Sequence, residues 1–159
     1  MVFVRADSAE GQAIRARAKA KAMEIANNIF MRKGLTVEVH EISPAFLSYT
    51  TFQMQPAHQF TIDDSCALVI CGFYNNDITN ARVLRVQKGR EFITDLSLLP
   101  IASFAEDKRG VDGGFEKWGV WLEGEDVSLG FRNPTPSSNV DAFPVGYVVI
   151  PEGKEDIIK

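Results

Sequence analysis

Long apolar runs are missing from this sequence of 159 residues, and so is an apolar start. A membrane-spanning helix requires roughly 18 or more consecutive apolar residues, and no segment approaches that length. The first residues, Met1–Arg5, also lack the apolar core that a secretory signal peptide carries. We therefore expect a chain that is made and folded in a cytoplasm.

Cysteine is scarce, because the chain contains only Cys66 and Cys71. These residues are five apart on one predicted strand, which directs them to opposite faces with Cα atoms about 17 Å apart. A disulfide requires Cα atoms within about 7 Å, so the two cannot pair with each other. We expect both to be small, buried, apolar side chains.

Residues that carry familiar chemistry are also few. The two histidines, His40 and His58, lie in separate segments without a carboxylate or cysteine at the spacing of zinc ligands. The sequence has neither a Gly-x-Ser-x-Gly motif nor a glycine-rich phosphate loop followed by Lys-Ser or Lys-Thr. We therefore expect no cofactor, no metal and no enzymatic activity.

Paired carboxylates leave a small hydrolase as an alternative. Glu123 and Glu125 flank a glycine, and Asp63 and Asp64 precede an apolar segment. A glycosidase holds two carboxylates several ångströms apart across a cleft. Because carboxylates are common in solvated turns, we interpret both pairs as turn residues, and the hydrolase is the least favoured function.

The composition is that of one ordinary globular domain, residues 1–159, with 45% hydrophobic and 24% charged residues. A chain of this size buries about two-thirds of its unfolded surface, enough for a core without disulfides. The segment Cys66–Phe73 contains no charged residue and is rich in β-branched and aromatic types. A half-exposed strand would alternate, so we predict a central strand that is covered on both faces.

Most other segments between residues 35 and 150 alternate between apolar and polar side chains, as strands do. Strands are predicted at residues 35–40, 46–54, 60–62, 81–87, 90–99, 115–123, 127–131 and 145–150. Exposed loops are predicted at residues 106–114 and 133–139, a turn at 75–77, and a polar tail at 151–159. Lys88-Gly89 predicts a hairpin turn. The pattern favours a mainly β (α+β) fold, an antiparallel β-sandwich or barrel with one long N-terminal helix.

That helix is predicted over residues 8–33, where the chain is rich in alanine, the strongest helix former. Asp7 or Ser8 is a suitable N-cap, and Glu10 is placed to complete a capping box. Gly34 provides the left-handed residue with which many helices end.

Charge is unevenly distributed between the helix and the body. Residues 1–33 carry seven basic and three acidic groups, a net charge of +4, whereas the whole chain carries −4. Residues 9–21 are mostly alanine or charged, so this half is predicted to bury too little to be held by its own domain. We expect it to be solvated or to contact a protein partner, and nucleic acid is disfavoured as that partner because the acidic body repels phosphate. The candidate partner-binding residues are Ile14, Arg15, Arg17, Ala18, Lys19, Lys21 and Ala22.

Two tryptophans support a second alternative. Trp118 and Trp121 are three residues apart on one predicted strand and therefore point to opposite faces. If one of them is exposed, it would suit stacking on a sugar ring, as in a carbohydrate-binding module. The competing interpretation, a tryptophan that shields the edge of the sandwich, is favoured.

The basic, alanine-rich segment Ala13–Ala26 precedes a strand-rich body, in which Trp118–Gly124 forms a late strand. In this plan the chain resembles small structural proteins of tailed bacteriophage particles, such as capsid decoration or head-to-tail completion proteins. The resemblance implies a virion subunit that is made in the host cytoplasm and binds neighbouring protein subunits as a homo- or hetero-oligomer. It is a resemblance of plan and transfers no site residue.

Overall fold

The computed structural model describes residues 3–42, 49–51, 58–75, 83–88, 91–97, 109–132 and 140–152. Its helical segment consists of an α-helix, α1 (Ala9–Ile25), a π-helical turn (Ala26–Phe30) and a 3-10 turn (Met31–Lys33). The strands are β1 (Phe3–Arg5), β2 (Val37–Glu41), β3 (Tyr49–Thr51), β4 (His58–Thr61), β5 (Ala67–Asn75), β6 (Val83–Lys88), β7 (Glu91–Ser97), β8 (Arg109–Asp112), β9 (Val120–Trp121), β10 (Asp126–Arg132) and β11 (Val140–Pro151). The protein is mainly antiparallel sheet with one long N-terminal helix, as predicted.

The strands form two antiparallel sheets. The seven-stranded sheet has the order β1-β8-β5-β11-β2, with β3 also paired to β11 and β9 to β5. The four-stranded sheet has the order β4-β10-β6-β7. Within the described residues both orders end in open edges, so neither sheet closes into a ring there. Buried side chains of both sheets belong to one continuous apolar cluster, which is the core of the molecule.

β5 is the central strand that the sequence predicted, and every residue from Cys66 to Phe73 is buried. Side chains alternate from Ala67 to Ile70, so Ala67 and Val69 point to one face of the sheet and Leu68 and Ile70 to the other. Both faces are therefore covered. Both cysteines are buried and free, as expected.

The ends of the helical segment follow the local sequence. Ser8 is the N-cap, and its hydroxyl oxygen accepts a hydrogen bond from the Gly11 N–H at 3.0 Å. The capping box predicted for Glu10 was wrong, because the Ser8 N–H that Glu10 would accept donates instead to the Arg5 carbonyl oxygen at 3.2 Å. Gly34 ends the segment with a φ of 79°, the left-handed conformation that glycine adopts without strain.

Helix α1 packs on the seven-stranded sheet and contacts β1, β2, β5, β8 and β11. The prediction that residues 9–21 bury too little was wrong. Ala18 and Ala22 have no exposed surface, and Gly11 and Ile14 are buried beside them. An alanine side chain adds little area, but its small size lets the helix backbone approach the sheet closely. Among the described residues no helix is long and apolar enough to cross a membrane.

The loop predicted at residues 106–114 was wrong where β8 lies, between β1 and β5. Gly72 of β5 lets the two backbones lie close together there, because a Cβ on Gly72 would lie 1.9 Å from the Gly110 carbonyl oxygen. A side chain at this position would separate the strands. Glycine therefore serves strand packing here, although its local signal is that of a turn.

Other predictions divide into three groups. The hairpin was confirmed, since β6 and β7 pair antiparallel. The strand predicted at residues 115–123 was wrong in its first part, where Phe115–Lys117 forms a 3-10 turn, and β1 was not predicted. Predictions outside the described residues concern 43–48, 52–54, 76–77, 81–82, 89–90, 98–99, 106–108, 133–139 and 153–159.

Candidate interaction surface

The apolar residues proposed for partner binding lie in the core. Ile14 is 3% exposed, and Ala18 and Ala22 are fully buried against the sheet. These three residues therefore do not form an outward surface in this structure. Any partner that approaches the N-terminal half of α1 meets its charged residues and its exposed alanines, Ala16 and Ala20.

Arg17 is engaged by its own chain. One of its terminal nitrogens donates to the Gly113 carbonyl oxygen at 2.8 Å and to a carboxylate oxygen of Glu116 at 2.6 Å. Its guanidinium carbon lies 5.4 Å from the centre of the Phe115 ring. Arg17 therefore fastens the middle of α1 to the 3-10 turn that precedes β9.

The same contact changes the acidity of Glu116. Partial burial acts to raise the pKa of its carboxyl group, but the hydrogen bond from Arg17, a backbone hydrogen bond, and the charges of Arg17 and Lys21 outweigh it. The pKa of Glu116 is consequently below its ordinary value.

The other predicted basic residues are placed differently. Arg15 is half-buried, and its charge acts on the Cys71 thiol. Burial nevertheless dominates there and raises the pKa of Cys71 to about 12. Lys19 is exposed, and Lys21 lies 3.8 Å from a carboxylate oxygen of Glu24. The structure thus does not gather the basic residues of α1 into one binding site.

A second set of polar contacts joins the far end of the helical segment to the body. Lys33 Nζ lies 3.3 Å from one carboxylate oxygen of Glu123, and the other oxygen accepts the Ser65 N–H at 2.8 Å. Ser65 has a φ of 64°, an uncommon conformation for a residue other than glycine. Its backbone hydrogen bond is the main cause of the lowered pKa of Glu123, to which Lys33 also contributes. One carboxylate therefore joins the helix end to two turns of the body.

The paired carboxylates serve the turns in which they lie. Glu125 accepts the Leu122 N–H at 2.7 Å, just as Glu123 accepts that of Ser65. Asp63 and Asp64 are exposed. Across the described ranges no group of three or more histidine, cysteine, aspartate or glutamate side chains could hold a metal ion.

Both tryptophans are buried, at 3% exposure for Trp118 and none for Trp121. The Trp118 ring stacks on Phe73 with 5.6 Å between ring centres. Its Nε1 donates to a carboxylate oxygen of the buried Asp112 at 2.7 Å. Neither ring is available to a sugar, so the exposed tryptophan on which the carbohydrate alternative depended does not exist.

A small cavity lies between the two sheets. It has a volume of about 190 Å³ and is lined by Phe60, Thr61, Ile62, Asp63, Cys66, Ala67, Leu68 and Val148. Trp121 is the cross-strand neighbour of Leu68, and among the described residues its buried Nε1 has no hydrogen-bond partner. Trp121 does not line the cavity, so these two features do not form one polar site.

Three large exposed hydrophobic residues lie in the last part of the helical segment and just beyond it. They are Met23 at 47%, Met31 at 47% and Leu35 at 38%. Met23 lies in α1, Met31 lies in the 3-10 turn, and Leu35 follows Gly34, so the three belong to one stretch of the chain, residues 23–35. We call these three residues the methionine surface. None of these three residues is among those that the sequence predicted for partner binding.

The second exposed feature is the edge of the seven-stranded sheet. β2 pairs with β11 on one side, and in the described part of the chain no strand pairs with its other side. The side chains of Glu38 and His40 are half-buried, and His40 Nε2 lies 2.9 Å from a carboxylate oxygen of Glu38.

Comparisons with known proteins find no relative of this chain. No known protein family matches the sequence, and neither a curated protein nor a solved structure is significantly similar to it.

Proposed function

We propose that this protein is a structural subunit of a larger particle, of the kind represented by capsid decoration and head-to-tail completion proteins of tailed bacteriophages. In this role it binds neighbouring protein subunits through the methionine surface. The observation that carries the proposal is the concentration of Met23, Met31 and Leu35 in one exposed stretch. Exposed apolar residues that are clustered favour an interaction site over isolated surface exposure.

The anchoring of the helical segment supports this role. Arg17 bonds to Glu116 in the middle of α1, and Lys33 bonds to Glu123 beyond Met31. The methionine surface is therefore carried on a segment that is fixed to the body on both sides of Met23. A surface that is already ordered loses less conformational entropy on binding. Methionine also adapts its shape to a partner more readily than branched side chains do.

The test is purification of particles on a density gradient from cells infected with the phage that encodes the chain. We expect the protein to co-migrate with particles, and Met23→Lys combined with Met31→Lys to abolish that association. Both positions are exposed, so the variant should retain the circular dichroism spectrum and melting temperature of the parent.

Ala16→Lys combined with Ala20→Lys is the matched control. It adds the same two charges to the same helix, at positions that are exposed but outside the methionine surface. Association of this control with particles is expected. Absence of the parent protein from particles contradicts the proposed function, and equal loss of both variants contradicts the assignment to the methionine surface.

A further inference from the structure

The open edge of β2 has a defined hydrogen-bonding pattern. The Ile42 N–H donates to the Gly146 carbonyl oxygen at 2.9 Å, and the Thr36 carbonyl oxygen accepts the Glu152 N–H at 3.1 Å. Even-numbered residues of this strand therefore direct their backbone groups toward β11. Backbone groups alternate along a strand, so Val37 and Val39 direct theirs toward the open edge.

The side chains on this edge are self-complementary. Glu38 and His40 point to the same face of the sheet, and they already contact each other within one chain at 2.9 Å. In an antiparallel pair of two β2 strands centred on Val39, Glu38 of each copy would lie opposite His40 of the other. Val37 of each copy would lie opposite Glu41 of the other.

The side-chain pattern selects one register among those that the backbone pattern allows. When Val39 pairs with its own symmetry mate, it forms the kind of pair that exchanges two backbone hydrogen bonds. Glu38 and His40 then form the other kind of pair, in which side chains are closest. Moving the centre to Glu38 would place two carboxylates opposite each other, and moving it to His40 would place two imidazoles together. Like charges that face each other across a sheet are unfavourable.

We infer that β2 pairs with the β2 strand of a second copy, in antiparallel orientation about Val39, so that the two seven-stranded sheets become one continuous sheet across a twofold axis. Such a contact is isologous, since the same strand serves both subunits. It adds main-chain hydrogen bonds to an edge that would otherwise accept any extended chain. The inference goes beyond the proposed function because it names a second contact and its partner.

The test is sedimentation equilibrium of the purified full chain. We expect a monomer–dimer equilibrium in the parent protein, whereas a monomer at every concentration up to the solubility limit overturns the inference. His40→Glu places carboxylates opposite each other, and Glu38→Lys places a lysine opposite His40. Each variant alone is expected to dimerise about ten- to a hundredfold more weakly than the parent.

An equimolar mixture of the two variants sharpens this test. In a mixed pair, Glu38 of the first variant faces His40 of the second, and the new glutamate of the first faces the new lysine of the second. The heterodimer is therefore expected to form when neither variant forms a homodimer. Both variants should retain parental circular dichroism, and a mixture of folded variants that stays monomeric overturns the register.

Amide hydrogen exchange gives a readout at single residues. The amides of Val37 and Val39 are expected to exchange more slowly as protein concentration rises, whereas those of Glu38 and His40, bonded to β11, should not change. Protection elsewhere without protection at Val39 overturns the proposal. The variant with lysine at positions 23 and 31 should dimerise like the parent, so loss of particle binding and loss of this dimer are separate outcomes.

Discussion

β5 and β2 belong to the same sheet but illustrate two different uses of a strand. β5 is hydrogen-bonded to β8 and β9 on one side and to β11 on the other, and its residues from Ala67 to Phe73 are buried. In the described part of the chain β2 has one partner strand, and its exposure rises from the buried Val37 to the exposed Glu41. The first strand lies in the middle of the sheet, whereas the second lies at its edge.

Replacement of Gly146, which lies beside β5 in the sheet, should lower the free energy of unfolding most. A Cβ on Gly146 would lie 1.9 Å from the Val69 carbonyl oxygen, which belongs to the backbone of β5. Because that backbone is buried, Gly146→Ala is expected to cost about 3 kcal/mol or more, or to prevent folding. Urea unfolding followed by circular dichroism measures this change.

The same substitution at Gly113 is its control. Gly113 is exposed, and a Cβ added there would have Ile14 Cδ1 as its nearest neighbour at 3.7 Å, an ordinary contact. Gly113→Ala should change the free energy of unfolding by less than about 0.5 kcal/mol. Equal effects at the two glycines would contradict the tight contact between β5 and β11.

Truncation of one valine in each strand compares their contributions directly. Val69 is fully buried in β5, whereas Val39 is half-buried in β2 and points to the same face of the sheet. We expect Val69→Ala to lower the free energy of unfolding by about 2–3 kcal/mol and Val39→Ala by about 1 kcal/mol. Chemical unfolding at protein concentrations that keep the chain monomeric isolates the effect within one chain, and a larger loss at Val39 would be inconsistent with an open edge.

The sequence predicts β5 well because burial on both faces selects apolar residues at consecutive positions. β8 was not predicted, because the glycines and charges of residues 106–114 are typical of a loop, whereas its place in the sheet depends on a close approach to Gly72. The open edge of β2 was not predicted either. Alternation identifies a strand, but which side of the strand stays open depends on the pairing of Val37–Glu41 with β11, about 110 residues later in the chain.

Raising the pH above 9 should lower the free energy of unfolding, because the Cys71 thiol of β5 is buried. An ordinary thiol has a pKa of 9.0, whereas burial raises the pKa of Cys71 to about 12. Above pH 9 the unfolded chain releases this proton and the folded chain retains it, so stability is complete below pH 9 and falls between pH 9 and 12. At pH 10 the loss is expected to be about 1 kcal/mol.

Other groups titrate in the same range, so the measurement needs a matched variant. Cys71→Ala removes this thiol and keeps Cys66, and unfolding in urea at pH 8 and pH 10 should show a smaller alkaline loss in the variant. An identical loss in both proteins would mean that Cys71 does not remain protonated in the folded state.

The contact between Arg17 and Glu116 should have the smallest effect, because both side chains are largely exposed. Glu116→Gln is expected to cost about 0.2–1 kcal/mol at neutral pH. Since the pKa of Glu116 is lowered in the folded state, this contribution is present above the ordinary glutamate pKa and disappears as pH falls through the lowered value. Thermal melts of parent and variant should therefore converge in acid, and a constant difference at all pH values would contradict the ion pair.

The candidate surface was only partly predictable, because contacts between distant segments of the chain decide which residues are buried. The basic half of the helix was predicted to be solvated or to contact a protein partner, whereas Arg17 with Glu116 shows a contact within the chain. Ala18 and Ala22 were assigned to a partner because the area that alanine buries is small. Helical spacing places both alanines on the same side of the helix as Ile14 and Ile25, but how closely that side approaches the sheet depends on contacts with distant strands.

The position of β11 has a consequence for the order in which the chain can fold. This strand is the last in the described sequence, yet it lies between β5 and β2 and also pairs with β3. β1 likewise cannot pair until β8 has been synthesised, more than 100 residues later in the chain. Sheets built from such distant pairings fold slowly, and during synthesis β5 emerges from the ribosome long before its partner on that side. A nascent chain would therefore expose its most apolar strand edge until residues 140–151 arrive, which makes the late steps of translation the period of greatest risk of aggregation.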